Sequence, residues 1–485
     1  MGFILAGLRN AGIGSSVPYR YLVAAAFIGG LFIDILDATI VNVALPTLGR
    51  ELQAGNDTLE WVVTGYLLSL AVWIPASGWI GDRFGTKRTF LFALAIFMLG
   101  SALCGAAWDS TSLIAFRILQ GVGGGMLTPV GTAMVFRAFP AEQRPQASAV
   151  IAVPAIIAPV VGPLLGGFLT DSVGWRWIFY VNLPIGLATF AFAALFLREH
   201  VEEKAGRFDP WGFVLSGGGL ALVLYALSRG PGDGWGAPIV AAGLVGCACF
   251  VLLVVIELRR PEPMLDLRLL GDRMFRHANL TNVLATAGLI GMLFTLPLFL
   301  QQFRGLSAWE SGLTSFPQAL GLVTILPLAG YLYSRIGPRK LVVVGLSGAT
   351  ITAALFMLVD GATDLWLIRA LLYARGLTLG LALLPLQTTT FATISSSDTG
   401  RASALFNTAR QVASSLGVAI LATVLVAGHH AYPTDQLLGF HNTFAAGTLL
   451  SILSVAAGLL IRDEDTLYSP ARRRTLSRAP HAGGA

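Results

Sequence analysis

An all-α integral membrane fold is what this sequence predicts: two six-helix bundles with two additional helices between them, fourteen spans in all. Three observations carry that expectation. Apolar residues make up 55% of the chain and charged residues 12%, with a mean hydropathy of +0.72, whereas soluble domains carry about a quarter charged residues. Basic residues fall on alternate sides of the membrane once the spans are drawn. One loop sequence recurs at a fixed offset. A chain this long and this apolar satisfies its backbone polar groups only as many membrane helices, which sets aside a soluble protein with an oversized core. The net charge of +6 does not call for a nucleic-acid partner, because the basic residues are spread over short loops.

Apolar runs long enough to cross a bilayer place spans at 21–46, 59–80, 89–107, 112–135, 147–169, 177–197, 211–228, 237–258, 277–303, 309–333, 341–359, 365–392, 403–427 and 442–461. Ahead of them, "MGFILAGLRN" is too short an apolar stretch for a signal peptide and no small-residue cleavage pattern follows, so the first span is expected to remain as the anchor. This divides the chain into a cytoplasmic N-terminus (1–20), an N-terminal bundle (21–200), the extra pair with its linkers (201–260), a C-terminal bundle (261–462) and a cytoplasmic tail (463–485). The tail, with "PARRRTLSRAP", is expected to be disordered and to touch anionic lipid. With the N-terminus inside, 24 of the 32 Lys and Arg residues lie on the cytoplasmic side, four outside and four within spans. A wrong span count would scramble that alternation. Both termini are therefore expected in the cytoplasm of a cell whose cytoplasmic membrane holds the protein.

The repeated loop is "GWIGDRFGTKR" at 78–88 and "GYLYSRIGPRK" at 330–340, an offset of 252 residues that also carries Arg117 onto Arg369. Matched halves of this kind mark transporters. "GWIGDRFGTKR" resembles motif A of the major facilitator superfamily. "LDATIVNVALP", "RILQGVGGG" and "GPLLGG" resemble the first-, fourth- and fifth-span (antiporter) motifs of its fourteen-span drug:proton antiporter family. "PLFLQQFRGLSAWESG" and "GRASALFNTARQVASSLGVA" are similar to later segments of that family. The resemblance covers about residues 20–460. Three positions depart from the pattern: Ala158 stands where the antiporter motif begins with Gly, Ser334 replaces the Asp of motif A in the second half, and Asp34 is additional.

The resemblance implies a charge-relay latch at the cytoplasmic gate, built from Gly78, Asp82, Arg83, Gly85, Lys87 and Arg88. The other reading of that loop is a basic anchor, which would need neither the Asp nor the glycines. In the fifth span, Pro163 removes a backbone donor, and Gly162, Gly166 and Gly167 are expected to let a helix pack closely across the interface between the halves. "GVGGG" at 121–125 has no Lys after it and lies in an apolar span, so small-residue helix packing explains it better than phosphate binding.

Asp34 and Asp37 are the chemistry-bearing residues of the first span. An ionised carboxylate near the bilayer centre costs about 3 kcal/mol or more. Three residues apart, the two share a helical face and should titrate as a coupled pair. Asp37 lies at the depth of Arg117, and in the superfamily these two spans border the central cavity. Asp37 is thus expected to carry the proton, with Arg117 sensing its charge. Asp34 either tunes Asp37, contacts cargo, or merely faces a hydrated cleft. Gln120, Arg369, Arg375, Asn407 and Arg410 are candidate cavity or structural residues.

With carboxylates only in span 1, a transporter of hard dications is disfavoured. Amphipathic drugs, monocations or lipid-like molecules fit, and an anionic group would meet the arginines. Cys104, Cys247 and Cys249 show no disulfide or metal spacing, and His429–His430 is placed in an outer loop with no metal expected. Trp177 and Tyr180 read as an interfacial belt. The expected function is multidrug efflux by proton antiport and alternating access, with protons as the coupling ion and no other cofactor. The expected partners are an amphipathic small molecule and membrane lipids, in a monomer. A dedicated exporter of a lipid, siderophore or self-made natural product is the alternative. A non-transporting sensor would want a longer cytoplasmic domain, and an intramembrane enzyme a nucleophile–base or metal constellation.

Overall fold

The computed structural model describes residues 17–463, apart from 55, 141–142, 203–207, 261–262, 264, 307, 396 and 433–434. The basic tail, Arg9, Lys204 and Arg207 lie outside the described residues. Fourteen helical elements follow one another: α1 (Tyr19–Glu51), α2 (Asn56–Phe84), α3 (Thr86–Gly105), α4 (Ser110–Ala138), α5 (Arg144–Ser172), α6 (Trp177–Phe196), α7 (Pro210–Gly230), α8 (Ala237–Arg259), α9 (Arg273–Phe303), α10 (Ala308–Ile336), α11 (Pro338–Leu358), α12 (Leu365–Thr390), α13 (Thr399–Ala431) and α14 (Gln436–Gly458). Among the described residues, thirteen are long and apolar enough to cross a membrane. The remaining one, α5, is a 29-residue helix at the place of the fifth expected span.

Several helices outrun their apolar runs. At about 1.5 Å per residue, the 33 residues of α1 and of α13 exceed a hydrocarbon core of roughly 30 Å. Hydropathy sees only the part that needs lipid. One consequence corrects an expectation: His429 and His430 are not in a loop but in the last turn of α13, where His429 packs on the Phe440 ring. Charged residues mostly end helices. Asp109, Asp272, Asp364 and Asp435 accept from backbone N–H groups in the first turns of α4, α9, α12 and α14, satisfying donors that a helix start leaves open. Exposed Leu244, Val251 and Val254 on α8, with Phe92 and Phe168 elsewhere, form the apolar exterior that a bilayer requires.

The repeat is built into the backbone. Gly85 and Gly337 both take positive φ, +98° and +91°, at the starts of α3 and α11. A carboxylate just past each bundle's last helix caps the helix that begins at the glycine, α3 in one half and α11 in the other. Glu199 accepts from the backbone N–H of Lys87 and Arg88 at 3.0 and 3.2 Å, and Asp463 from that of Arg339 at 2.8 Å.

Burial divides the molecule by depth. At the end bearing these loops, hereafter the basic end, one buried apolar cluster joins both halves; it includes Phe27, Phe90 and Phe136 with Phe275, Phe391 and Phe406. Towards the opposite end the halves keep separate clusters. One surrounds Ile40, Val62 and Trp175, the other Leu296, Phe356 and Phe440.

Candidate functional site

Asp37 has no exposed surface and Arg117 is 1% exposed. The two form an ion pair between α1 and α4. Removing such a pair from water costs several kcal/mol per ion, and attraction offsets this only when the other donors and acceptors are also satisfied. Here they are. Gln120 Nε2 and Asn182 Nδ2 each donate to Asp37 Oδ1 at 2.9 Å. Arg117 donates to Gln120 Oε1 at 2.8 Å and, through Nε, to the Val62 carbonyl at 3.1 Å. Asn182 also reaches Ser101, whose hydroxyl donates to the Phe179 carbonyl. Five helices of one half, α1, α2, α3, α4 and α6, contribute to the network around this ion pair.

Asp34 lies one turn away in a different setting. Tyr66 Oη donates to its Oδ1 at 2.6 Å and Thr128 Oγ1 to its Oδ2 at 3.0 Å. No cation of the described residues lies within ion-pair distance, but Arg410, on α13 of the other half, interacts with it electrostatically. Tyr66 links the two acids, since its ring also lies 4.2 Å from the Arg117 guanidinium. "GVGGG" makes this convergence possible. A Cβ on Gly124 would fall 2.8 Å from both Asp34 Oδ1 and Tyr66 Oη, and side chains at Gly121 and Gly123 would strike α2 and α3. The glycines are packing residues, as a small-residue stripe should be.

At the basic end, Gly78 faces α13 so closely that a Cβ there would lie 2.7 Å from the Gly400 carbonyl oxygen. Asp82, 2% exposed, pairs with Arg137 of α4 at 2.7 Å and sits against the first turn of α13, where the helix dipole favours a negative charge. Bonds that do cross the halves run from Ser403 Oγ to the Pro129 carbonyl at 2.7 Å and from Thr388 Oγ1 to Ser148 Oγ at 2.8 Å. Phe136 and Phe391 stack at 4.3 Å. The remaining motif residues act within one half. Lys87 Nζ donates to the Ala194 and Leu197 carbonyls at the end of α6, Arg88 pairs with Glu199, and Arg83 is exposed. The side chain of Ser334 lies outside the described set.

The fifth-span glycines depart from expectation. Gly162 and Gly166 abut Thr39 and Ile40 of α1, so they bring together two helices of the same half and not the two halves. Spacing of small residues marks a close contact without naming the neighbour. The side chain of Pro163 lies outside the described set, and α5 meets the other half instead through Ser148 and Ala149 near its start.

Of the other candidates, Arg369 is partly buried with its guanidinium 4.7 Å from the Trp366 ring. It does not reproduce Arg117's role, since Leu289 stands 252 positions after Asp37. Arg375 is buried beside Gln318, Asn407 bonds back to Ser403, and Arg410 lies 5.8 Å from the Phe406 ring. Trp177 is half exposed and packs edge-on against Tyr180. Sequence reasoning missed Tyr66, Asn182, Thr128 and Arg137. Arg137 was visible only as one more basic loop residue, and the other three are uncharged polar residues with no pattern of their own.

A sequence profile of the Major Facilitator Superfamily matches residues 27–418. A multidrug resistance protein B homolog from Mycobacterium tuberculosis is 36% identical over 395 residues, covering 80% of this chain and 73% of its own. A putative multidrug resistance protein, MdtD, from Serratia proteamaculans is 32% identical over 463 residues, covering 94% and 95%. Among solved structures, the human organic anion transporter MFSD10 superposes with a TM-score of 0.68 at 17% identity, covering 91% of this chain and all of that one. The proton:xylose symporter XylE gives 0.64 at 14%, covering 94% and 98%.

Proposed function

The chain belongs to the major facilitator superfamily, a multi-pass membrane transporter fold, and from that premise we propose that it exports hydrophobic or amphipathic small molecules in exchange for protons. The observation that carries the reading is the pair of carboxylates in α1. Asp34 is the proton-exchanging group: among the described residues it holds no ion-pair partner, its carboxylate is bonded only by neutral hydroxyls, and Arg410 of the other half acts on it electrostatically. Asp37 is the switch, holding Arg117 and through it the packing of α1 on α4. Tyr66, bonded to one acid and stacked on the partner of the other, transmits the change. This divides work that the sequence alone assigned mainly to Asp37.

The physics follows from charge. Protonating Asp34 removes a negative charge that Arg410 feels in a medium of low dielectric, where such interactions are far stronger than in water. A cationic or hydrogen-bonding cargo competes for the same carboxylate, so occupancy by one weakens the other, which is the thermodynamic condition for exchange. The basic end faces the cytoplasm in this reading, and the Asp82–Arg137 contact with α13 is the latch holding it shut. Relatives named for multidrug resistance support a broad cargo range over a dedicated one.

Reconstitution tests the proposal. Purified protein in liposomes with an imposed pH gradient is expected to move ethidium, and both Asp34→Asn and Asp37→Asn are expected to lose the response to the gradient. Equal dye movement with and without the gradient, or an Asp34→Asn protein indistinguishable from wild type, would defeat it.

A further inference from the structure

We propose that Arg375 is the centre of an anion-binding subsite in the C-terminal half, built to take the acidic end of an amphipathic carboxylate or sulfonate cargo. The inference rests on the transport reading above and names a class of cargo for it. Arg375 lies near the middle of α12, 2% exposed and among the largest fully buried side chains. Among the described residues its one hydrogen bond is a long one, 3.3 Å from Nη1 to Gln318 Oε1 on α10, and Nε has no partner. Beyond Glu310 in the first turn of α10, helices α9–α14 contain no carboxylate, so the helices around Arg375 offer no counter-ion at its depth. Arg117, equally buried, pairs with a carboxylate and donates to a backbone carbonyl. A guanidinium left this way is strongly disfavoured unless an anion joins it.

The surroundings are built for that anion. Ser311, Thr314 and Gln318 recur at helical spacing on one buried face of α10. Thr314 Oγ1 has no partner, although a helical threonine ordinarily bonds back to the carbonyl one turn earlier. Gln301, exposed at the end of α9, reaches Ser311 Oγ at 3.4 Å. A polar line thus runs from the end opposite the basic loops to Arg375. The repeat sharpens the contrast. The 252-residue offset puts Gln318 at the place of Tyr66, Thr286 at that of Asp34 and Gly376 at that of Gly124. Where one half concentrates a carboxylate, the other has a hydroxyl and an added guanidinium, whose planar fork matches a carboxylate or sulfonate.

The test is equilibrium binding of dansyl-labelled undecanoic acid and its methyl ester to the full chain in nanodiscs, read by fluorescence anisotropy with empty nanodiscs as blank. The acid is expected to bind at least ~tenfold more tightly than the ester, as a charge-assisted pair should give. Arg375→Gln should bring the two together, Arg375→Lys should keep part of the preference, and Thr314→Val should weaken it. Acid and ester binding alike in the wild type, or a preference that survives in Arg375→Gln, overturns the proposal. If Arg375→Gln does not fold, an undiminished preference in both Arg375→Lys and Thr314→Val overturns it equally. Chloride is titrated in parallel: abolition of the preference at ~0.1 M chloride, where free ions are screened only over about 10 Å, would make the resident anion inorganic and overturn the cargo assignment. Binding needs no pH gradient. A protein that binds the acid but moves no dye sinks the antiport reading and leaves the subsite standing.

Discussion

Asp34 and Asp37 differ by one helical turn, and their neighbours give them different energetics. Asp37→Asn leaves the Arg117 guanidinium 1% exposed and without its counter-charge, so it is expected to cost about 3–5 kcal/mol of stability, the usual loss on breaking a buried pair. Thermal unfolding in detergent checks this, and the double variant Asp37→Asn/Arg117→Gln should recover a large part of the loss. A single variant as stable as wild type would mean the pair is not structural. Asp34→Asn keeps one acceptor oxygen, for Tyr66, and its amide N–H can donate to the Thr128 hydroxyl that had donated to the lost oxygen; it removes no ion pair, so its unfolding should stay within about 1 kcal/mol of wild type. Its transport should nonetheless lose the response to a pH gradient. Opposite orderings of the two variants in stability would reverse the roles proposed here.

Helices meet in this protein where glycine allows it, and two of those glycines also set backbone direction. Gly85→Ala and Gly337→Ala force a side chain into positive φ and against the capping carboxylates of Glu199 and Asp463. Each is expected to lower stability by about 1–3 kcal/mol, by similar amounts because the two positions are repeats of one device, and parallel unfolding curves measure it. Gly400→Val acts differently. Its Cβ would lie 2.5 Å from Asp82 Oδ1, so it wedges α13 from α2 and should raise maleimide labelling of a cysteine placed at Ser403. Unchanged labelling would show that the approach is not tight. The helices and the repeated loops were legible in the sequence because hydropathy and motif spacing act locally. The partners of Gly162 and Gly166 were not, since a glycine stripe says that some helix comes near without saying which. Asp37 and Arg117 could be paired by depth alone. Asn182 and Tyr66 could not, being neutral residues whose role exists only once five helices converge.

Taken whole, the molecule is held together at one end and divided at the other. The shared cluster around Phe136, Phe391 and Phe406 joins the halves at the basic end, and the separate clusters beyond leave each half its own core. Bundles joined this way could exchange which end is joined only if the contacts at the basic end were weak enough to part. Those observed suit that need: hydroxyl and carbonyl bonds such as Thr388–Ser148 and Ser403–Pro129, each with a net worth of about 0.5–1.5 kcal/mol, plus aromatic contacts. The Asp82–Arg137 ion pair stays within one half, so parting the halves does not break it. If rocking between sealed ends is the transport cycle, fixing this end should stop it. A Ser148→Cys/Thr388→Cys double variant replaces two hydroxyls 2.8 Å apart and should form a disulfide on oxidation, identified by mass spectrometry of the linked peptides. Gradient-driven dye movement should then fall by more than about tenfold and return on reduction, while each single variant stays near wild type. A cross-linked protein that transports at the wild-type rate would rule out separation of the halves at this end as a step of the cycle, because a disulfide does not open on the timescale of such motions.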